Sequence, residues 1–229
     1  MNLSTLPQII FGLVFGIYLT INVLMQVPWM ALLYVSVLPF FPHAYTHIVC
    51  FVQGSWLSSL VFYMETILGL QIRLTGDAPV HEPALVLSNH LSHDWIAIYC
   101  HGIRSYSLGV IRTVIKKSLL LFPGFGLGMW VCQWPFVTRN FKKDERVMTK
   151  LFRTYKAASV PVQLWIFPEG TRMTKSKLAE SQEHQKSKGY PVWQHVLLPR
   201  HRGFILALNS LKGVIGHINE MTIWYDGYK

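Results

Sequence analysis

Apolar residues run almost unbroken from Ile9 to Phe41, with Thr20, Asn22, Gln26 and Pro28 among the few interruptions. A helix needs about 20 apolar residues to cross a bilayer. Ile9–Val27 meets that length, and Pro28 is expected to start a second apolar piece that ends at Pro39–Pro42. A further hydrophobic stretch, Ile48–Leu70, carries only Gln53 and Glu65 as strongly polar residues. Neither stretch has the polar face of a helix that packs on a soluble core. A cleavable leader fits poorly, since no basic segment precedes a run this long. The pattern therefore predicts an N-terminal hydrophobic helical anchor over residues 1–70.

Beyond residue 70 the periodicity shortens and alternates. Leu70–Leu74 alternates like a strand, and Gly76-Asp77 makes a turn. Ala84–Leu87, the β-rich Ser107–Ile115, Trp134–Thr138 and Gln163–Phe167 are further strand candidates, with Leu197–Pro199 and Met221–Tyr225 the last. Helices are predicted from Trp95, from Lys116-Lys117 (a short one), over Asp144–Ala158 and over Gly203–Leu211, with Lys175–Lys188 a solvated helix or loop. Strands alternating with helices indicate an α/β domain, here a mixed sheet flanked by helices over 71–229. Pro123, Gly124, Gly126 and Gly128 lack the spacing of a dinucleotide loop. They predict close backbone packing or a membrane-facing loop.

Charge sharpens this division. Hydrophobic residues make up 51% of the 229 and charged residues 14%, with a net charge of +10. All 21 Lys and Arg lie at or beyond Arg73. An uncharged apolar third followed by a basic remainder suits a membrane anchor carrying a domain that faces anionic partners such as phospholipid headgroups. The positive-inside rule puts that domain on the cytosolic side. Cys50, Cys100 and Cys132 form no C-x-x-C pair and read as reduced, mostly buried thiols. The basic residues are not interleaved with aromatics on a stacking surface, which argues against a nucleic-acid partner.

The densest polar cluster is Asn89-His90-Leu91-Ser92-His93-Asp94, set between a strand and a helix. Imidazole titrates near neutral pH, and a neighbouring carboxylate fixes its tautomer, so His90 reads as a general base and Asp94 as its orienter. The plainer reading is an N-cap by Asn89 or Ser92. Arg139 lies at a strand exit, and its planar fork suits a phosphate. Glu169-Gly170-Thr171-Arg172 follows another strand, with a glycine for close approach, a hydroxyl and a second anion-binding charge. Ligands of open α/β sheets gather at the carboxyl ends of strands, where these blocks can converge. A base and two anion clamps beside a bilayer suggest acyl transfer to a phosphate-bearing lipid alcohol.

Asn89-His90…Asp94-Trp95, Phe136-Val137-Thr138-Arg139-Asn140-Phe141-Lys142-Lys143-Asp144 and Phe167-Pro168-Glu169-Gly170-Thr171-Arg172 resemble the ordered motifs of the 1-acylglycerol-3-phosphate acyltransferase superfamily of glycerolipid acyltransferases. Leu197-Leu198-Pro199-Arg200 followed by Gly203-Phe204 is similar to its lysophosphatidylinositol and lysocardiolipin acyltransferase branch. The resemblance covers roughly Ile72–Tyr225, and Phe-Pro-Glu-Gly-Thr-Arg is its most specific block. It implies acyl-CoA as co-substrate, a lysophospholipid acceptor, no bound cofactor and no metal. His90 would deprotonate the acceptor hydroxyl, and Arg139 would hold its phosphate. Glu169, Gly170, Thr171 and Arg172 would help bind it, and Pro199 would lie near the acyl-CoA side. The implied location is a membrane, the endoplasmic reticulum ahead of the mitochondrial outer membrane.

Two departures from the family pattern bear on activity. The family places four residues between the histidine and the aspartate, whereas here only Leu91, Ser92 and His93 intervene. Members of the branch also continue well past the strand near Ile223, whereas this chain stops at Lys229. Together they predict, as an alternative, a truncated, weakly active or inactive lipid-binding protein. A metal-dependent hydrolase built on His90, His93 and Asp94 is the rival from another enzyme class, although the other histidines show no ligand-like spacing.

Overall fold

The computed structural model describes residues 6–78, 81–122 and 124–226. A parallel sheet in the order β2-β5-β1-β6 forms its centre, from β1 (Ala84–Ser88), β2 (Ile111–Thr113), β5 (Gln163–Ile166) and β6 (His217–Met221). A separate parallel pair joins β3 (Ile115–Lys116) to β4 (Phe136–Val137). Every pairing between these strands is parallel, so the sheet is not the mixed one that the strand pattern predicts. Parallel strands need crossovers, and the intervening helices supply them on both faces. Both faces of β1 and β5 are accordingly buried. Val86 and Trp165 join a core with α3 (Asp94–Arg104). Leu85, Leu164 and Ile166 join the other with α5 (Phe141–Ala157) and α7 (His201–Ser210). In α5 the residues Asp144, Met148, Phe152 and Tyr155 recur at helical spacing and are buried, and Asn140 caps its start.

The apolar N-terminal region forms α1 (Leu6–Ser36) and α2 (Pro42–Phe62), the latter extended by a π-turn at Tyr63–Ile67. Both are long and apolar enough to cross a membrane. Pro28 does not break α1, contrary to the expected division. Val27 and Met30, on either side of it, are both buried, so packing rewards a continuous helix across the proline. The inner face of α2 and its π-turn is buried at three- and four-residue intervals, Tyr45 and Val49 packing with Met30 and Val131, and Leu57, Val61 and Met64 joining the core that holds Val86 and Trp165. Its polar interruptions point inward too. Gln53 donates to the carbonyl of Leu108 (2.8 Å) and accepts from Arg112 and Trp134 (3.0 Å each), while Glu65 pairs with Arg104 at 2.8 Å. The Gln53 oxygen and the Gly109 and Ile111 carbonyls accept from Nη1 of the buried Arg112, which has no carboxylate partner among the described residues, while its Nε is left without a hydrogen bond.

The α2 seam depends on one close approach. A Cβ on Gly109 would sit 2.3 Å from the Cys50 carbonyl oxygen, a backbone atom fixed in α2. Gly109→Ala is therefore expected to push α2 off the core and to cost about 1–3 kcal/mol, as other overpacking changes do. A thermal melt in detergent, read against Gly203→Ala, where a Cβ meets nothing within 4 Å, checks this.

Several expected strands differ. Leu70–Leu74 is irregular, although Leu70 and Ile72 still pack on the core. Leu197–Pro199 is likewise outside any strand, its Leu198 N–H donating to Ser181 Oγ. The Ser107–Ile115 run splits into β2 and β3, and Trp134–Thr138 shortens to the two residues of β4. Lys117–Leu121 is a 3₁₀ turn and α4 (Phe125–Val131) follows it, with Pro123 outside the described residues. Lys175–Ser187 is a helix, α6. The last strand ends at Met221 instead of spanning Met221–Tyr225, because its ladder with β1 stops at the Ser88–Met221 pair, where β1 gives way to the Asn89-His90 loop.

Candidate active site

The carboxyl ends of β1, β5 and β6 open on one side of the sheet, and three loops meet there. The first is the Asn89–His93 loop between β1 and α3. The N-terminal residue of α3 is Asp94, which is 1% exposed and gathers four donors. His90 Nδ1 lies 2.5 Å from Oδ2, and the Leu91 N–H donates to the same oxygen at 2.8 Å. The Ser92 N–H (3.2 Å) and the Tyr225 hydroxyl (2.8 Å) donate to Oδ1. Burial opposes the charge, but the bonds from His90, Ser92 and Tyr225 outweigh it and hold Asp94 below its ordinary value. The shortened spacing therefore does not separate the pair. Two backbone N–H groups wrap the carboxylate and turn the loop tightly enough to bring His90 onto it. The helix begins after His93, and neither Asn89 nor Ser92 is its N-cap.

With Nδ1–H committed to Asp94, the Nε2 of His90 is the basic nitrogen. The imidazole is 28% exposed, and one face is stacked on Phe167 with ring centroids 4.3 Å apart. Phe167 begins the second loop, at the end of β5. Glu169 in that loop is buried, and its carboxylate accepts from the His90 N–H at 3.3 Å. Burial raises its pKa, with the His90 and Leu197 backbone bonds opposing. Glu169 thus braces the histidine loop. Gly170 takes a φ of +68°, a conformation that side chains resist, and a Cβ there would meet Arg200 at 3.5 Å. Thr171 accepts from Lys177 Nζ at 2.7 Å, and the same ammonium reaches the Arg172 carbonyl at 3.1 Å.

Arg139 occupies the exit of β4 with a φ of +67°, an uncommon conformation for a residue with a side chain. Asp144 builds that corner by accepting from the Thr138 N–H (2.8 Å) and hydroxyl (2.7 Å). Arg139 and Arg172 are exposed, and among the described residues their guanidinium groups make no hydrogen bond. Such groups are available to an anion. The structure thus joins His90, Asp94 and Glu169 in one hydrogen-bonded cluster, sets Gly170, Thr171 and Arg172 next in the chain, and leaves Arg139 on its own corner. His93 turns to Ser92 Oγ at 3.0 Å, and among the described residues no group of three His, Cys, Asp or Glu could hold a metal ion.

The third loop follows β6. Asn89 clamps it by donating to the Ile223 carbonyl (2.9 Å) and accepting the Ile223 N–H (2.7 Å), which sets Tyr225 against Asp94. No local pattern pointed to Tyr225, which lies 131 residues from its partner. Nor did any single out Lys177, within a uniformly polar stretch. Asp94's lowered folded pKa means that its carboxylate adds stability above about pH 4, which is lost as pH falls through the lowered value. Tyr225→Phe removes one donor to a charged acceptor, typically about 1.5–3 kcal/mol. The variant is expected to melt lower at pH 7, and the gap should narrow once Asp94 is protonated. An equal gap at neutral and acid pH would assign the phenol to packing alone.

Comparison with known proteins gives the family. The acyltransferase family model matches residues 71–212. Lysocardiolipin acyltransferase 1 of Danio rerio is 29% identical over 95% of this chain and 54% of its own. The 1-acyl-sn-glycerol-3-phosphate acyltransferase 2 of Brassica napus is 33% identical over 84% and 51%. The epsilon 1-acyl-sn-glycerol-3-phosphate acyltransferase of Mus musculus is 35% identical over 73% and 47%. The chain spans about half the length of the curated relatives it matches. No solved structure matches it significantly.

Proposed function

The chain belongs to the acyltransferase family, and on that premise we propose that it moves a fatty acyl group from acyl-CoA to the free hydroxyl of a lysophospholipid. The observation that carries this reading is the His90–Asp94 pair, with Nε2 left as the basic nitrogen at the mouth of the sheet. His90 Nε2 removes the hydroxyl proton as the oxygen attacks the thioester carbonyl. The C–O bond forms, the C–S bond breaks, and the imidazolium returns the proton to the departing CoA thiolate. Asp94 stabilises the imidazolium between these steps. Oxygen attacks the acyl group directly, so Ser92 needs no role as nucleophile. Arg139 and Arg172 bind the acceptor phosphate, and Gly170 and Thr171 shape the approach to it. Neither the proton transfers nor the anion clamps call for a metal or a bound cofactor.

The acceptor headgroup belongs to the lysophosphatidic acid, lysophosphatidylinositol and lysocardiolipin class; the names of the relatives support the first and the last, and the Leu197–Phe204 resemblance the second. The long apolar α1 and α2, together with the confinement of Lys and Arg to positions from Arg73 onward, support seating at a membrane with the site on the cytosolic side. The endoplasmic reticulum is the membrane we assign. The test is acyl transfer from radiolabelled acyl-CoA to a panel of lysophospholipids, using membranes that bear the full chain. Transfer to one acceptor class supports the reading and names the headgroup. Lipid binding by inserted, folded protein with no transfer to any acceptor would overturn it.

A further inference from the structure

The chain between β3 and β4 leaves the α/β core, runs through the 3₁₀ turn and α4, and returns. Its inner side is fastened to α1. Gly124 and Gly128 stand four residues apart, and a Cβ on either would press on α1, 2.9 Å from Leu24 and 3.3 Å from Val27. This small-x-x-x-small spacing lets helices approach closely in an apolar medium. At the end of α4, the partly exposed Trp130 packs at a tilt on Tyr34 of α1 with ring centroids 4.4 Å apart, and Tyr45 of α2 donates to the Val131 carbonyl at 2.6 Å.

The outer side carries Leu119, Leu121, Phe122, Leu127 and Trp130, all exposed, Leu121 at 85% and Phe122 at 62%. The α1 helix to which it is fastened also leaves Ile21, Met25 and Trp29 exposed. Lys116 and Lys117 flank it, both exposed. An apolar patch on a short helix with lysines at its edge and a tryptophan at its end has the composition of a segment lying at the lipid–water boundary.

This element is joined directly to the phosphate clamp. Lys116 is paired in register with Val137, and Arg139 follows two residues later, about 7 Å along the chain. We propose that the 3₁₀ turn and α4 dip into the bilayer beside α1, so that the β3–β4 pair at their base holds Arg139 at the depth of lipid phosphates. The occupant of the exposed face is the acyl region of a phospholipid bilayer, and Lys116 and Lys117 meet its headgroups. The acceptor then reaches Arg139 sideways from the membrane without first entering water. This inference rests on the membrane seating of α1 proposed above.

The experiment places an environment-sensitive fluorophore on the full chain in phosphatidylcholine vesicles, at Leu121→Cys and Phe122→Cys. Leu13→Cys on the exposed face of α1 and Lys188→Cys beyond α6 are the references, and unsubstituted protein gives the labelling background of the native cysteines. Nitroxide-bearing lipid is expected to quench the probes at positions 121, 122 and 13 but not at 188, and aqueous iodide is expected to do the reverse. Lipid quenching at 13 alone, with iodide or neither agent reaching 121 and 122, overturns the membrane-dipping element and leaves the seating of α1 intact. Iodide quenching at all four positions overturns both.

Discussion

Replacing His90 by alanine is expected to lower acyl transfer by about 10²–10⁴-fold, the range that a positioned general base contributes. Neither carboxylate of the cluster is placed to take over. Asp94 is buried, its oxygens are engaged by four donors, and its pKa lies below that of an ordinary carboxylate, which makes it a poor base. Glu169 is turned toward the His90 backbone. The informative control is His93→Ala. Its ring is engaged with Ser92 on the N-cap residue, so its loss is expected to leave the rate within a few-fold of the parent. Initial rates with saturating acyl-CoA and the best acceptor of the panel measure both. A large loss at His93 with a small one at His90 would mean that the base has been assigned to the wrong imidazole.

The parts of this site that could be read in the sequence are those built from residues adjacent in the chain. His90 and Asp94 lie within one turn of each other, and Glu169-Gly170-Thr171-Arg172 follows a strand that its own apolar run declares. The α/β class was legible for the same reason, since buried parallel strands read as short apolar runs between helices. What escaped was long-range. Tyr225 reaches Asp94 only because β6 pairs with β1 and Asn89 then holds the Ile223 backbone, and no local periodicity encodes that register. The seam between α2 and the core was hidden for a related reason. Its polar residues, Gln53 and Glu65, look like isolated interruptions of an apolar stretch until Arg112, Trp134 and Arg104 are brought to them.

The short His90–Asp94 spacing shows how backbone geometry can absorb a sequence departure. Within a helix a four-residue interval places two side chains on one face. Here the helix starts at Asp94 itself, so the preceding loop has to curl. The N–H groups of Leu91 and Ser92 make it curl by closing on the Asp94 carboxylate, and the Met173 N–H fixes the His90 carbonyl from the opposite side at 2.8 Å. The carboxylate is thus both partner to the His90 imidazole and organiser of the loop that carries it.

That double duty sets the expected outcome for Asp94→Asn. An amide has one acceptor oxygen and one NH₂ donor, so at least one of the two donor pairs, His90 with Leu91 or Ser92 with Tyr225, would face another donor. Leaving buried N–H groups unpaired costs about 1–3 kcal/mol, so the variant should melt lower than the parent but fold. Catalysis should suffer more. The imidazole loses the acceptor that fixes its tautomer and the charge that stabilises its protonated form, and a comparable carboxylate-to-amide change in a His–Asp pair costs about 10⁴ in kcat. The loss is expected in kcat, with the KM for acyl-CoA little changed, because Asp94 acts through His90 and is buried away from substrate. The double variant separates this role from general damage. If Asp94 works only through the imidazole, adding Asp94→Asn to His90→Ala should cost almost nothing further. A multiplicative loss in the double variant would instead give Asp94 a share in the chemistry independent of His90.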